Sequence, residues 1–188
     1  MARPRSDEKR SAIMSAAIHV IASQGLGAAT ATIAKEAGVS NGSLFTYFPT
    51  KADLFNQLYI ELKTEMASAA LDGLPTEGDT REQMLHLWTR WLGWATSCPE
   101  KRRTLAHLAV SDDVISESNQ TASRTMAGIA KLLERSRENG PMRDAPLGFV
   151  AALMNALADA TIDFIIRDPA NADKHRKAAF EALWRIVA

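Results

Sequence analysis

The chain has 188 residues, of which 46% are hydrophobic, and its 22 basic and 22 acidic side chains leave no net charge. This composition is that of a globular protein, and it excludes both a disordered chain and a protein that coats nucleic acid over its whole surface. The single cysteine, Cys98, cannot form an internal disulfide and no N-terminal stretch resembles a signal peptide, so we expect a cytoplasmic protein.

Hydrophobic periodicity predicts an all-α chain of about nine helices without strands. The first helix begins near Ser6 and ends at Gly25. Two short helices follow, separated by Gly38, whose freedom to adopt a positive φ suits a tight turn. A fourth helix opens with a capping pattern at Thr50 and extends to about Leu71, where a stretch rich in glycine and proline begins.

The rest of the chain is predicted to form five more helices. One begins at Thr80 with a second capping pattern and ends before Pro99, which can start the next helix. A long helix is expected over about 114–139 and is terminated by a Gly-Pro pair. A strongly apolar helix over about 146–168 and a final helix near the C-terminus complete the prediction.

The apolar helix over 146–168 has two features that bear on its surroundings. Asn155, Asp159 and Asp163 recur within it at helical spacing, which would be costly in lipid, so we expect a buried helix and no membrane span. It is also apolar on more than one side, which one subunit cannot easily cover, and this favours a homodimer held by a four-helix bundle. The residues expected at the dimer interface are Leu157, Ile162, Ile165, Phe180, Leu183 and Trp184.

Residues 30–48 have the form of a helix-turn-helix. In the second short helix Ser40 can act as the N-cap, while Leu44 and Phe48 can pack inward. The other side of this helix carries hydrogen-bonding side chains, namely Asn41, Ser43, Thr46 and Tyr47. Such a face is typical of a DNA recognition helix, although a helical hairpin packed inside a bundle would share the pattern. Residues 1–51 hold six basic and three acidic side chains, which suits local contact with phosphates.

The same segment resembles a known family. The residues that carry the resemblance are Ile33-Ala34, Ala37-Gly38-Val39-Ser40, Gly42, Leu44, Tyr47-Phe48, Lys51 and Leu54, which are similar to the signature of the TetR family of bacterial transcription regulators. Two positions depart from the family pattern. Phe45 stands where a tyrosine is usual, and Ala29 stands where a capping hydroxyl is usual, which leaves Thr30 or Thr32 to cap that helix.

The resemblance implies two domains: a helix-turn-helix DNA-binding domain over 1–54, with helix 4 linking through about residue 71, and a helical effector-binding and dimerisation domain over 72–188. It further implies a regulator, most often a repressor, that binds a palindromic operator as a dimer and is released by a small effector. The residues expected to meet DNA are Arg3, Arg5, Thr30, Thr32, Ser40, Asn41, Gly42, Ser43, Phe45, Thr46, Tyr47 and Lys51. Arg3 and Arg5 are either a minor-groove arm or a solvated tail.

Large adaptable side chains in the second domain suggest a pocket for an apolar or aromatic effector, although an ordinary core would use the same residues. The candidates are Met84, Trp88, Trp91, His107, Met126, Met154, Asn155, Asp159 and Phe164, with Asn155 and Asp159 as polar anchors or as contacts across the dimer. The histidines lack metal-ligand spacing and no glycine-rich phosphate loop is present, so no metal, cofactor or enzyme activity is expected. A constitutive or protein-regulated DNA-binding protein is the alternative, and a helical enzyme a remote one.

Overall fold

The computed structural model describes the backbone of residues 3–188 and the side chains from residue 6 onwards. Over this part the chain is all-helical, which confirms the predicted fold class. The helices are α1 (Arg3–Gln24), α2 (Thr30–Glu36), α3 (Asn41–Tyr47), α4 (Lys51–Leu71), α5 (Thr80–Ser97), α6 (Pro99–Ala109), α7 (Ser116–Thr125), α8 (Ala127–Arg137), α9 (Leu147–Arg167) and α10 (Ala172–Val187). A short 3-10 turn, Pro169–Asn171, joins the last two.

The described part has ten α-helices where about nine were expected, because the long helix predicted over 114–139 is two helices. Helix α7 ends and α8 begins around Met126, whose backbone has φ −87° and ψ 0°. Gly128 follows two residues later, and glycine is a poor helix former. A Cβ on Gly128 would lie 3.1 Å from a methyl carbon of Leu71, so the glycine also permits close packing.

The chain forms two compact units. The first comprises the residues up to Thr64 together with Cys98–Arg124, and the second comprises Glu65–Ser97 and Thr125–Ala188. The boundaries of these units differ from the domain boundaries at residues 54 and 72 that were expected from sequence. Helices α6 and α7 belong with the helix-turn-helix, and α4 contributes residues to both units.

In the first unit, α1 is the central helix and packs against α2 and α6. Its inward face consists of fully or almost fully buried residues, namely Ile13, Met14, Ala16, Ala17, Val20 and Ile21. The hydroxyl of Thr104 on α6 is buried and donates a hydrogen bond of 2.9 Å to the carbonyl oxygen of Ile18 on α1. A buried polar group is stable only when it is paired, so this bond fixes α6 against α1.

In the second unit, α5 packs against α8, α9 and α10, and α9 packs closely along α10. Trp88 is completely buried on α5, and its indole nitrogen donates a 3.2 Å hydrogen bond to the carbonyl oxygen of Arg176. The ring of Trp91 meets that of Trp88 edge-on at a centroid distance of 6.0 Å. These aromatic contacts form the centre of the unit's core.

Helix α9 is long and apolar enough to cross a membrane by length and composition alone, with a mean hydropathy of 1.7 over its most apolar window. The same length and composition are found in core helices of globular proteins. Val150, Met154 and Ile162 are buried inside the unit, while Asp159 and Asp163 lie within the same helix. Its packing on α5 and α10 places one side of α9 in the core of the second unit.

The turn between α8 and α9 is held by Arg137, which is buried. Its guanidinium forms an ion pair of 2.9 Å with Glu134, and this hydrogen bond lowers the pKa of the Glu134 carboxyl. The same guanidinium donates to the backbone carbonyls of Met142, at 2.8 Å, and of Ala145. Gly140, inside this turn, is buried against the end of α10.

Replacement of Gly140 by alanine is expected to destabilise the second unit. A Cβ at this position would lie 2.1 Å from the carbonyl oxygen of Val187 and 2.8 Å from the Cα of Ala188, and backbone atoms cannot rotate away. We expect a loss of about 1–3 kcal/mol in the free energy of unfolding, as for overpacking of a core, measured by urea denaturation. Gly148→Ala is the control, because nothing lies within 4 Å of a Cβ there. Equal stability of the two variants would contradict the packing argument.

Candidate nucleic-acid interface

Local sequence chemistry sets the start and direction of α3. Gly38 has a φ of +68°, which glycine adopts without strain and which turns the chain after α2. Ser40 is the N-cap of α3 in an extended conformation, and its hydroxyl oxygen accepts a 3.1 Å hydrogen bond from the backbone nitrogen of Ser43. This is the capping interaction expected from the sequence.

Helix α3 has one anchored side and one free side. Leu44 and Phe48 are completely buried and fix its inner side in the core of the first unit. The residues on its outer side are Asn41, Gly42, Phe45 and Thr46, which are exposed, with Ser43 and Tyr47 half-buried beside them. The structure therefore brings the α3 residues predicted to contact DNA together on one accessible face.

The start of α4 adds a positioned positive charge. The ammonium of Lys51 donates a 2.7 Å hydrogen bond to the carbonyl oxygen of Leu26 and lies 5.3 Å from the centre of the Phe55 ring. Thr50 and Asp53 form a capping box: the Asp53 carboxylate accepts from the Thr50 nitrogen at 3.0 Å, and the Asp53 nitrogen donates to the Thr50 hydroxyl at 3.0 Å. Lys51 is thus held in place before any DNA is bound.

The start of α2 corrects one expectation. Ala29 is the N-cap of α2 and no side chain caps this helix, so neither Thr30 nor Thr32 replaces the usual hydroxyl. The backbone nitrogens of Thr32 and Ile33 donate instead to the Ala29 carbonyl oxygen. Thr30 and Thr32 are half-buried, and their predicted contact with DNA stays a prediction.

The proposed N-terminal arm falls at the edge of the described structure. Helix α1 begins at Arg3, earlier than the predicted start near Ser6. The side chains of Arg3 and Arg5 lie outside the described residues, so their role in the minor groove stays a prediction.

Arg10 braces the helix-turn-helix in a way that sequence reasoning did not identify. Its guanidinium donates to the side-chain oxygen of Gln57 at 2.9 Å and to the carboxylate of Glu61 at 2.5 Å, which joins α1 to α4. It also lies 5.7 Å from the centre of the Phe48 ring, a cation–π distance. A basic residue near the N-terminus therefore has a structural function that its charge alone does not reveal.

Asn56 makes a second link that sequence reasoning did not identify. Its amide nitrogen donates to the carbonyl oxygen of Asp113 at 2.7 Å, and its amide oxygen accepts from the backbone nitrogen of Ile115 at 3.0 Å. The Asn56 side chain on α4 therefore supplies hydrogen-bond partners to backbone groups in the loop between α6 and α7. This loop is otherwise open to solvent, since Val110 and Ile115 are exposed.

The residues predicted to line an effector pocket are not all brought together. Met84, Trp88, Trp91 and Met154 are buried in the second unit, whereas His107 is exposed in the first unit. Trp88 is fully covered by its neighbours, as a side chain of an ordinary core is. Met126 is half-buried at the break between α7 and α8, and Asn155, Asp159 and Phe164 lie on the outer side of α9. Helical geometry separates them from Met154 by about 80–140° around the helix axis.

The predicted dimer residues also divide into two groups. Ile162, Ile165, Phe180 and Leu183 are buried within a single chain, where α9 packs on α10, so they belong to the core and are not available to a partner. Leu157 and Trp184 are half-buried. The sequence pattern therefore assigned four residues of the single-chain core to the dimer interface, and the position of that interface stays a prediction.

Within the described residues, no group of three or more His, Cys, Asp or Glu side chains is placed to hold a metal ion.

The unit that carries α3 offers hydrogen-bonding and basic side chains on a helical frame, which is the chemistry of nucleic-acid contact.

The Asn56 link gives a direct test of the described geometry. Asn56→Ala removes the acceptor of the Ile115 amide, so this amide is expected to exchange its hydrogen with solvent faster, measured by NMR or mass spectrometry. The free energy of unfolding should fall by about 0.5–1.5 kcal/mol, because water can replace the lost bonds. Gln57→Ala, which removes a bond to Arg10, is the matched control and should leave the Ile115 amide protected. Unchanged exchange in Asn56→Ala would contradict the link.

Comparison with known proteins supports this interpretation. Residues 13–58, from α1 into α4, match the family described as bacterial regulatory proteins of the tetR family. The nucleoid occlusion factor SlmA of Shewanella woodyi is 28% identical over 142 residues, which cover 73% of this chain and 72% of that protein.

Solved structures share the whole fold. A tetR family transcription regulator from Shewanella sp. PV-4 is 29% identical, with a TM-score of 0.83 over 94% of this chain and 96% of that one. The TetR-like transcriptional regulator LfrR from Mycobacterium smegmatis, solved in complex with proflavine, is 20% identical with a TM-score of 0.68 over 94% and 95% of the two chains, which shows the fold alone. The helix-turn-helix segment therefore matches the tetR family, and the chain as a whole is similar in sequence and fold to DNA-binding transcription regulators of that family.

Proposed function

We propose that this protein is a ligand-responsive repressor in the cytoplasm that binds a palindromic operator as a homodimer, each subunit placing α3 in a major groove. The observation that carries the proposal is the two-sided structure of α3, whose polar face is free while Leu44 and Phe48 hold it from behind. Two recognition helices related by a two-fold axis match the symmetry of a palindrome.

The side chains on the free face suit base and phosphate contacts. Asn41 can pair with adenine through its amide, and the hydroxyls of Ser43 and Tyr47 can donate to bases or phosphates. Thr46 donates its hydroxyl to the carbonyl of Gly42 at 3.1 Å, so its methyl group and its oxygen lone pairs remain for DNA. Phe45, 38% exposed and without a hydroxyl, suits contact with a thymine methyl group or a sugar.

Lys51 is proposed to bind a phosphate next to α3. An ammonium has three donors, and the bond to the Leu26 carbonyl uses only one of them. The remaining donors can meet a phosphate oxygen without reorganising the side chain, so little conformational entropy is lost on binding. Asp53 at the start of α4 limits this site to one side, because its carboxylate would repel a phosphate placed on the helix axis.

The second unit is proposed to bind an apolar or aromatic effector next to α5. LfrR, which shares the fold, was solved with the aromatic compound proflavine. In this chain Trp91 keeps 9% of its surface and Trp94 keeps 8%, whereas Trp88 keeps none. The indole nitrogen of Trp94 donates to the Glu65 carboxylate at 3.0 Å on α4, so a ligand beside Trp94 would act on a helix that also belongs to the DNA-binding unit.

One observation favours a second candidate function. Complete burial of Trp88 and near-complete burial of Met84 describe a closed core, which a regulator without a small-molecule effector would share. A relative of this chain, SlmA of Shewanella woodyi, is named as a nucleoid occlusion factor. A constitutive or protein-regulated DNA-binding protein is therefore the alternative that the effector experiment below distinguishes.

The DNA-binding face is tested by Tyr47→Ala and Lys51→Ala. Each variant should weaken operator binding, by about 1–3 kcal/mol for a side chain that reaches a base edge, measured by fluorescence anisotropy at several salt concentrations. Lys51→Ala should also reduce the slope of a plot of log affinity against log salt concentration by about one, since one phosphate contact is lost. Lys131→Ala, an exposed lysine of α8, is the charge-matched control. Wild-type affinity in both test variants would overturn the assignment of α3 and its flank.

The effector is tested by tryptophan fluorescence. Trp184 on α10 is removed as Trp184→Phe, so that only the three α5 tryptophans report. A compound that releases operator DNA should quench this fluorescence, and saturating operator should weaken its binding by the same factor, about 5–150-fold for typical coupling. A screen of apolar and aromatic compounds in which none changes fluorescence or DNA binding would favour the alternative without an effector.

A further inference from the structure

Two hydrogen-bond donors on α4 have no polar partner. The ammonium of Lys63 forms no ion pair or hydrogen bond with any residue that the structure describes, and the hydroxyl of Tyr59 forms no hydrogen bond with them either. The ammonium lies 5.7 Å from the centre of the Tyr59 ring. Tyr59 is 7% exposed and Lys63 is half-buried. Polar groups in such surroundings are usually paired, so two neighbouring exceptions indicate a missing partner.

The sequence of α4 explains why Lys63 has no counter-ion on its own helix. A helical lysine pairs with a carboxylate that lies three or four positions away along the chain. The four residues at these distances from Lys63 are uncharged, namely Tyr59, Ile60, Met66 and Ala67. The usual source of a partner for a helical lysine is therefore absent from this part of α4.

The two nearest glutamates of α4 have other partners. The Glu61 carboxylate accepts a hydrogen bond from the guanidinium of Arg10, and the Glu65 carboxylate accepts one of 3.0 Å from the indole nitrogen of Trp94. Each glutamate is two positions from Lys63, which places it about 160° away around the helix axis. Neither carboxylate is therefore placed to neutralise Lys63.

The two donors also lie where water is scarce. Burial lowers the pKa of the Lys63 ammonium and raises the pKa of the Tyr59 phenol. A lysine that only lays its stem across the surface keeps its charged head in water, and burial would then not lower its pKa. The phenol stays protonated near neutral pH and so remains a donor. This face of α4 therefore presents an uncompensated positive charge beside a neutral donor.

We propose that Tyr59 and Lys63 bind the carboxylate group of a ligand whose remaining part is apolar. One carboxylate oxygen would accept a hydrogen bond from the ammonium and the other would accept one from the phenol, so both donors would gain a partner. The proposal does not depend on the effector proposed next to α5, because the bond between Trp94 and Glu65 is on the opposite side of α4 from Lys63.

A carboxylate suits these two donors better than a phosphate. A carboxylate carries one negative charge, which the single ammonium neutralises. A phosphate monoester carries nearly two near neutral pH, and the second would stay unpaired where water is scarce. Ile60 is half-buried one turn before Lys63, and the Tyr59 ring lies beside the ammonium, so the surface next to the charge is apolar. An apolar ligand body would meet that surface.

Calorimetric titration tests the site with decanoate and 1-naphthoate and with the corresponding alcohols, 1-decanol and 1-naphthalenemethanol. At least one carboxylate should bind the wild-type protein about 10-fold or more tightly than its alcohol. Lys63→Met should weaken binding of that carboxylate by about 10–100-fold, and Tyr59→Phe by about 2–10-fold. Lys131→Met, which removes an exposed lysine of α8, is the charge-matched control and should bind as the wild type does.

A second measurement examines the protein without any probe. Lys63→Met removes a charge that has no counter-ion, so its melting temperature, followed by circular dichroism, should equal or exceed that of the wild type. Removal of an ammonium that already has a partner would instead lower the melting temperature. A destabilised or unfolded Lys63→Met variant would therefore contradict the premise of the proposal.

The outcomes separate this site from the proposed function. Carboxylates that bind Lys63→Met as tightly as the wild type would place their binding elsewhere, which would overturn this proposal and leave the effector next to α5 standing. Failure of both carboxylates to bind the wild type, or equal binding of each carboxylate and its alcohol, would refute the anion site. Tighter binding of decyl phosphate than of decanoate would overturn the choice of a carboxylate.

Discussion

The face of α3 that is proposed to read DNA depends on the burial of two side chains. Helix α3 has seven residues, which is far too short to be stable on its own in water, so its helicity comes from tertiary packing. Leu44 and Phe48 supply that packing from one side, and Arg10 covers the Phe48 ring while it joins α1 to α4. Because the inner side is fixed in this way, the outer side can carry polar residues without any stabilising function and is free to recognise DNA.

The elements that sequence predicted are those whose causes lie within a few residues. Gly25 and Gly38 end helices with a positive φ, Ser40 caps α3, and Thr50 and Asp53 cap α4, all as their local patterns indicate. Each of these interactions spans at most four positions along the chain. A helix-turn-helix is built almost entirely from such short-range interactions, which explains why its position was predictable to within a few residues.

The features that sequence did not predict depend on residues far apart in the chain. The bonds from Thr104 to Ile18 and from Asn56 to Asp113 join positions 86 and 57 residues apart, and neither residue type is unusual in its own helix. Helix α9 shows a different limit. Its hydrophobic residues occur on more than one side, so periodicity cannot decide which side faces the core, and Ile162 was assigned to the dimer interface although it is buried. Only the position of α10 and α5 resolves that choice.

The chain passes between the two units at three places, and their chemistry differs. Between Thr64 and Glu65 the connection lies inside the continuous helix α4, whereas the other two crossings lie where helices are interrupted, before Pro99 and near Met126. A continuous helix transmits a displacement of its axis, but an interrupted one can absorb it by backbone rotation. Within the first unit, Asn56 ties the start of α4 to the loop before α7. In the proposed ligand-responsive mechanism, α4 is therefore the connection through which an effector bound to the second unit would act on the first.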